Sequence, residues 1–333
     1  MSRICIVGAV TASIATIALA AGAGASRQRL TGELAVTEYA QGPVWHVVLL
    51  RPNGTTRRLP VKDARAVAWS PNGSRLLVAH NPDGTHWPGF GLFVMGLGGA
   101  LRGRVLGVGD GGATWSPDGQ RIAYDWDVRA NGNFISIAST TRKGPRRTLD
   151  IGAPSSGMCF LSDGRLVYST GPPRPGLFAL DASRSSSRPE RIRTAPRALF
   201  SSPACSPDGR HVAVDGIAVV DVDSMTFKAF PRRRGFSPEW SPDGSKIAYW
   251  GYWRHGSKLL VVDADGANVR LLAAGGRHVN ARPTWSPDGS MIAYTNSDDG
   301  AAYVVRADGG APPERALQSS EVDYYMPLWR PTH

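Results

Sequence analysis

The sequence predicts an all-β protein, a seven-bladed β-propeller, and three observations carry the expectation. A five-residue turn motif returns at a nearly constant interval. Each copy is followed by short, alternating apolar segments. The two chain ends supply complementary parts of one further unit.

The motif reads Trp-Ser-Pro-Asn-Gly from Trp69 and Trp-Ser-Pro-Asp-Gly from Trp115, Trp240 and Trp285. Cys205 opens a variant, Phe160 a weaker copy (Phe-Leu-Ser-Asp-Gly), and Trp329 a truncated one. The intervals are 46, 45, 45, 35, 45 and 44 residues. That is the length of one four-stranded propeller blade. The motif is built to turn the chain. Ser opens it, Pro fixes φ at the next position, Asp tolerates the third, and Gly takes the left-handed conformation that closes the hairpin.

The strand after each turn is short and apolar, as in Arg121-Ile-Ala-Tyr124, Lys246-Ile-Ala-Tyr249 and Met291-Ile-Ala-Tyr294. A third strand follows, such as Leu259-Leu-Val-Val-Asp-Ala264, and a poorer fourth closes the unit. Beyond the N-terminal segment no stretch has helical periodicity. The large residues before the turns (Trp69, Trp115, Phe160, Trp240, Trp285, Trp329) are expected to fill the spaces between blades.

The ends fix the blade count. Met326 to Pro331 reads as a first strand with nothing after it, and Thr31 to Val36 as a second strand with no first. The segments after Val44 and Thr55 supply a third and a fourth strand. Joining the ends closes the ring and removes exposed edges. Six complete blades and one composite blade make seven, over a propeller spanning residues 26–333.

Residues 1–25 read differently. Arg3 gives a cationic start, Ile4 to Ala25 carries no charge, and Ala23-Gly-Ala25 is a small-x-small cleavage site. This is the pattern of a secretory signal peptide. The alternative is an uncleaved membrane anchor. Export to the periplasm, cell envelope or exterior is therefore expected, with no stable membrane span after processing. Of the three cysteines, Cys159 and Cys205 remain after processing. They fall in different repeat slots, and are read as two buried free thiols, with pairing after export as the alternative.

The charge is +11, from 38 basic and 27 acidic residues, and only five of the basic residues are Lys. Scattered Arg alongside abundant Ala, Gly and Pro reads as a GC-rich composition. Without a basic stripe, nucleic acid is not an expected partner. Most charge runs, such as Arg142 to Arg147 and Ser183 to Arg191, are read as solvated hairpin tips.

The repeat resembles that of the TolB-type propellers, relatives of the WD-repeat propellers, over essentially all of the chain after the signal. The resemblance implies the propeller fold and a periplasmic scaffold acting through protein contacts. TolB also carries an α/β domain ahead of its propeller, for which no room is expected here. Peptidases with a similar propeller add a serine-hydrolase domain, and none is expected after His333. Some lyases with a similar propeller use a His cluster and a metal, which cannot be matched here residue by residue.

No catalytic constellation is found, so a non-enzymatic protein without cofactor or metal is expected. Residues 152–157 lack the spacing of a nucleophile elbow. The seven His are dispersed. Asp125 to Gly132 matches a calcium loop in part, but Arg129 stands where an oxygen ligand is needed.

Loops are the remaining place for function. The loops between second and third strands share one face with the blade connections. That face gathers His86, Trp87 and Phe90, then Trp126, Asp127 and Arg129, then Tyr252, Trp253, Arg254 and His255. Blade connections add Arg232 to Arg234, Arg277, His278, Tyr324 and Tyr325. Aromatics with Arg are the residue types of binding hot spots. Trp87, Trp126, Trp253, Arg254, His255, Arg277 and His278 are therefore the candidate partner-binding residues. The expected partner of this monomer is an envelope protein or peptide. The alternative is an anionic glycan, bound or cleaved, with His255 or His278 as base.

Overall fold

The computed structural model describes residues 29–40, 44–80, 91–105, 112–128, 132–140, 146–172, 174–192, 202–230, 235–277, 281–317, 319 and 322–332. The expected signal segment, Trp87 and His278 lie outside the described residues, and of Trp126 only the backbone is described.

Seven four-stranded antiparallel sheets form the blades, and no helix occurs among the described residues. Blade 1 contains β1 (Leu34–Ala40), β2 (Val44–Leu50) and β3 (Thr56–Lys62). Blade 2 runs through β4 (Ala64–Trp69), β5 (Arg75–His80), β6 (Gly91–Gly96) and β7 (Leu101–Val105). Blade 3 holds β8 (Ala113–Trp115), β9 (Arg121–Val128), β10 (Gly132–Ser139) and β11 (Arg146–Asp150). Blade 4 holds β12 (Ser155–Phe160), β13 (Arg165–Thr170), β14 (Gly176–Asp181) and β15 (Glu190–Ile192). Blade 5 holds β16 (Ala204–Cys205), β17 (His211–Val214), β18 (Ala218–Asp221) and β19 (Phe227–Ala229). Blade 6 holds β20 (Gly235–Trp240), β21 (Lys246–Trp253), β22 (Gly256–Asp263) and β23 (Arg270–Gly276). Blade 7 holds β24 (Thr284–Trp285), β25 (Met291–Asn296), β26 (Ala301–Arg306) and β27 (Glu314–Leu317).

The last strand, β28 (Val322–Trp329), pairs with β1 and completes blade 1 in the order β28-β1-β2-β3. First strands touch from blade to blade all the way round, with β24 meeting β28 and β28 meeting β4. The ring is therefore closed by the two chain ends, as the sequence predicts. One detail differs. Tyr324 and Tyr325, expected on a blade connection, belong to β28, and Tyr324 is buried. The strand starts earlier than expected because Val322 to Tyr325 continue the pairing with β1, and the left-handed Met326 (φ 46°) absorbs the register shift.

The turn chemistry is also as expected. Ser241 Oγ donates to Asp243 Oδ1 at 2.6 Å, and the Ser245 amide donates to the same oxygen at 3.0 Å. These bonds, the hydroxyl of Ser241 first, hold the Asp243 carboxyl below the usual range. Gly244 closes the turn at φ 71°, and the Lys246 amide returns to Ser241 Oγ at 2.9 Å. The same arrangement repeats at Ser116–Asp118 and Ser286–Asp288.

Seven apolar clusters lie between blades, one per junction. The Ile-Ala-Tyr segments explain how. In β21, Ile247 and Tyr249 pack toward blade 5, while Ala248 packs toward blade 7 beside Trp285. In β25, Ile292 and Tyr294 pack toward blade 6, and Ala293 shares a cluster with Trp329. Strand alternation sends large residues back and a small one forward, and the small one leaves room for the next blade's Trp.

Each of those Trp residues also carries a donor. Trp69 Nε1 donates to Leu328 O at 3.1 Å, Trp115 to Ala68 O at 3.2 Å, Trp240 to Ala204 O at 2.9 Å and Trp285 to Glu239 O at 3.0 Å. The acceptor is always the residue just before the motif aromatic, or its replacement Cys205, of the preceding blade. Phe160 has no such donor. Trp329 Nε1 is buried without an acceptor among the described residues, and Thr284 Oγ1 donates to Pro327 O at 2.9 Å at that junction instead.

Between blades 4 and 5 the clasp is covalent. Cys205 occupies the Trp slot and Cys159 the acceptor slot, and the two form a disulfide with Cα atoms 5.7 Å apart. This overturns the expectation of free thiols. The difference in slots is what the junction requires, because residues in these two slots meet wherever an indole clasp forms.

The junctions therefore rank by clasp. Trp285→Phe loses a donor and strands Glu239 O, and should cost about 1 kcal/mol more than Trp329→Phe, which removes a similar ring but no bond. The Cys159→Ala/Cys205→Ala chain should lose about 2–4 kcal/mol. Urea unfolding of the three variants checks the order, and equal losses for the two Trp variants would refute it.

Candidate functional site

Blade 6 carries the site. β21 and β22 pair from Lys246↔Asp263 to Trp253↔Gly256, so Arg254 and His255 alone form the turn. Gly256 sits at φ 123°, and a Cβ there would lie 2.6 Å from Gly276 O. The hairpin therefore rests against the end of β23, next to Arg277. Only glycine allows that approach.

Alternation places one aromatic on each side of the hairpin. Trp253 lies beside Gly251, where a Cβ would stand 3.3 Å from the indole. Lys258, cross-strand from Gly251, holds its ammonium 4.6 Å from the Trp253 ring centre. Tyr252 is on the opposite side, 4.7 Å from the Phe236 ring. Tyr252 is 64% and Trp253 52% exposed, the two most exposed large apolar side chains among the described residues. Both are fixed by neighbours on one side and open to solvent on the other.

Of the expected site residues, the structure brings together Trp253, Arg254, His255 and Arg277. Arg254, His255 and Arg277 are exposed. The Arg277 amide donates to Asp298 Oδ1 at 3.0 Å, which ties the connection after β23 to blade 7. Phe236 and Lys258 were not legible as site residues, since the one reads as an inner strand and the other as a strand position. The pairing Gly251↔Lys258 is the signal that could have found Lys258.

The same face holds a second aromatic group, of which the sequence pointed to Tyr325 but not to Trp45 or Tyr39. Trp45 lies 4.4 Å from Tyr39 and 5.5 Å from Tyr325, with the Arg65 guanidinium 5.7 Å from its ring. These rings are half-buried and pack on one another. They consolidate the rim where blades 1 and 2 meet.

Toward the axis, Arg282 links three blades. It donates to Glu239 Oε2 at 3.1 Å and to Pro203 O at 3.3 Å. Desolvation raises the Glu239 carboxyl, opposed by Arg282. On the motif-turn side, a cleft of about 350 Å³ between blades 5 and 6 is lined by Asp208, His211, Asp221, Lys228 and Trp240, among others. His211 Nδ1 is 2.9 Å from Asp208 Oδ2, and its Nε2 is 3.7 Å from Asp221 Oδ2. Asp208 is held at about 2 against its burial by the Ser206 hydroxyl, the Arg210 amide and His211. Those bonds belong to the turn, so the cleft's carboxylates are already engaged.

Among the described residues no three or more His, Cys, Asp or Glu side chains stand close enough together to hold a metal. Asp125, the first carboxylate of the partial calcium loop, is instead part of the junction between blades 3 and 4. It bonds to Ser155, and its Oδ1 is sealed without a partner. Burial raises it to about 6, opposed by Ser155.

The folded chain therefore binds more protons than the unfolded one between the ordinary Asp range and pH 6, and this residue's contribution to stability falls as pH rises through that window. Asp125→Asn should gain up to about 3 kcal/mol on the native chain between pH 4 and pH 7. Paired unfolding curves across that range check it, and a pH-independent difference would refute it.

Comparison with solved structures places the architecture. The chain is similar to TolB from Acinetobacter baumannii (TM-score 0.56, 17% identity, 89% of this chain and 81% of that one). It is also similar to the β-propeller domain of the Trilobed protease from Pyrococcus furiosus (0.65, 12%, 89% and 96%). A third is an oligogalacturonate lyase from Vibrio parahaemolyticus (0.57, 15%, 87% and 87%). No family model and no curated sequence matches the chain. At these identities the likeness shows the fold, a β-propeller, and leaves function to the site.

Proposed function

We propose that this protein is an exported, non-enzymatic propeller scaffold that captures a protein or peptide partner in the cell envelope. The observation that carries the reading is the β21–β22 tip, with Tyr252 and Trp253 exposed beside Arg254 and His255. Exposed aromatics fixed on a rigid frame bind with little ordering cost. The Cys159–Cys205 disulfide supports export, since such bonds persist in oxidising compartments. The signal-like residues 1–25 support it independently. Among the described residues no helix is long and apolar enough to cross a membrane.

A second reading is binding or cleavage of an anionic glycan. Trp253 beside Lys258 and Arg254 favours it, because sugars stack on aromatic rings and uronates need cations. The peptide reading is preferred on geometry. Trp253 and Tyr252 point to opposite sides of the hairpin and make no common platform for consecutive sugar rings.

Crosslinking capture from the native envelope tests the proposal, with the processed chain as bait and the Trp253→Ala/Arg254→Ala chain as control. A specific protein retained by the first and lost from the second is the expected result. Retention unchanged in the variant would remove the tip from the account. Turnover of polyuronate by the native chain, lost on His255→Ala, would replace the proposal with the glycan reading.

A further inference from the structure

Some cations in this part of the ring are paired with carboxylates and others are not. Lys246 is 2.7 Å from Asp263, Arg282 3.1 Å from Glu239 and Arg315 2.7 Å from Asp299. Arg254, Lys258 and Arg277 make no ion pair among the described residues. They sit at the hairpin turn, on the Trp253 ring and at the end of β23. The neighbouring carboxylate, Asp298, accepts the backbone amide of Arg277. His255 adds a further donor at the turn. Three cationic residues thus stand on the elements that carry the two aromatic surfaces, and Asp298 is the carboxylate bonded to the Arg277 backbone at this corner.

Resting on the capture reading given under Proposed function, we infer that the β21–β22 tip takes an acidic peptide segment. Asp or Glu side chains of that segment pair with Arg254, Lys258 and Arg277. Its apolar side chains lie against Trp253 on one side of the hairpin and Tyr252 on the other. Charge complementarity selects the occupant. A basic or neutral segment would leave these cations without an anionic partner, and a basic one would meet like charge. Each exposed pair contributes little alone, so selectivity comes from the three acting with the aromatic anchors. Screening by salt follows, because Arg254 and Arg277 are exposed and Lys258 partly so.

A random peptide library displayed on phage and panned against the full chain tests this. The leading peptides would then be synthesised and their affinities measured by fluorescence anisotropy. The expected result is enrichment of Asp and Glu around an aromatic or aliphatic residue. Arg254→Glu/Lys258→Glu/Arg277→Glu should weaken binding by about tenfold or more, and Trp253→Ala should weaken it as well. Raising the salt should weaken it several-fold. Thermal unfolding at the native temperature keeps the variants interpretable.

Neutral or basic peptides that still depend on Trp253 would overturn the acidic assignment and leave the capture face standing. Peptides whose binding survives Trp253→Ala would overturn the face itself. So would a failure to select any peptide while polygalacturonate binds the native chain.

Discussion

At five of the seven blade junctions, adjacent first strands are joined by a clasp at one repeated place, and the ring draws on it. The motif Trp reaches back to the carbonyl that precedes the previous blade's motif residue, as Trp285 does to Glu239 O at 3.0 Å. The ring of the same Trp fills the space above a small residue, as Trp285 does beside Ala248. Packing and hydrogen bonding thus use one side chain at one site, which fixes both the spacing and the rotation of neighbouring blades. Where Cys205 replaces the Trp, a disulfide to the equivalent acceptor position does the same work covalently.

A ring held in this way has little freedom to deform, and its loops inherit that rigidity. The β21–β22 hairpin shows the consequence. Its base packs on both neighbouring blades through Tyr249 and Trp250, and its tip leans on Gly276. Trp253 is seated beside Gly251 by Lys258. The exposed aromatics are therefore presented in a fixed arrangement, so binding needs little reorganisation. The opposite face is made of motif turns whose polar atoms are satisfied internally, as Ser241, Asp243 and Ser245 are. Such turns make good corners and offer few free groups to a partner.

The blades and their closure were readable because they are written in local chemistry. A Ser-Pro-Asp-Gly turn and an alternating segment specify a hairpin within about ten residues. What escaped depends on the ring being formed. The clasp between Cys159 and Cys205 is visible only once the acceptor of the indole is known. Tyr324 reads as a loop residue because the closing strand is legible only from Met326, and its extension back to Val322 shows only in the pairing with β1. Trp253, Arg254 and His255 were legible as a polar-aromatic turn, whereas Lys258 joined them only through cross-strand register. The side chains of Asp125 and Tyr324 turn out to serve blade junctions, where burial rather than residue type decides their role.

Hydrogen exchange on the intact chain, alone and with its captured partner bound, tests the central claim most directly. A rigid ring presenting one hairpin predicts slow exchange in the first strands in both states, and new protection confined to residues 251–258 and 276–277. New protection on the motif-turn side, around Asp208 and His211, or a change spread through the first strands, would contradict it.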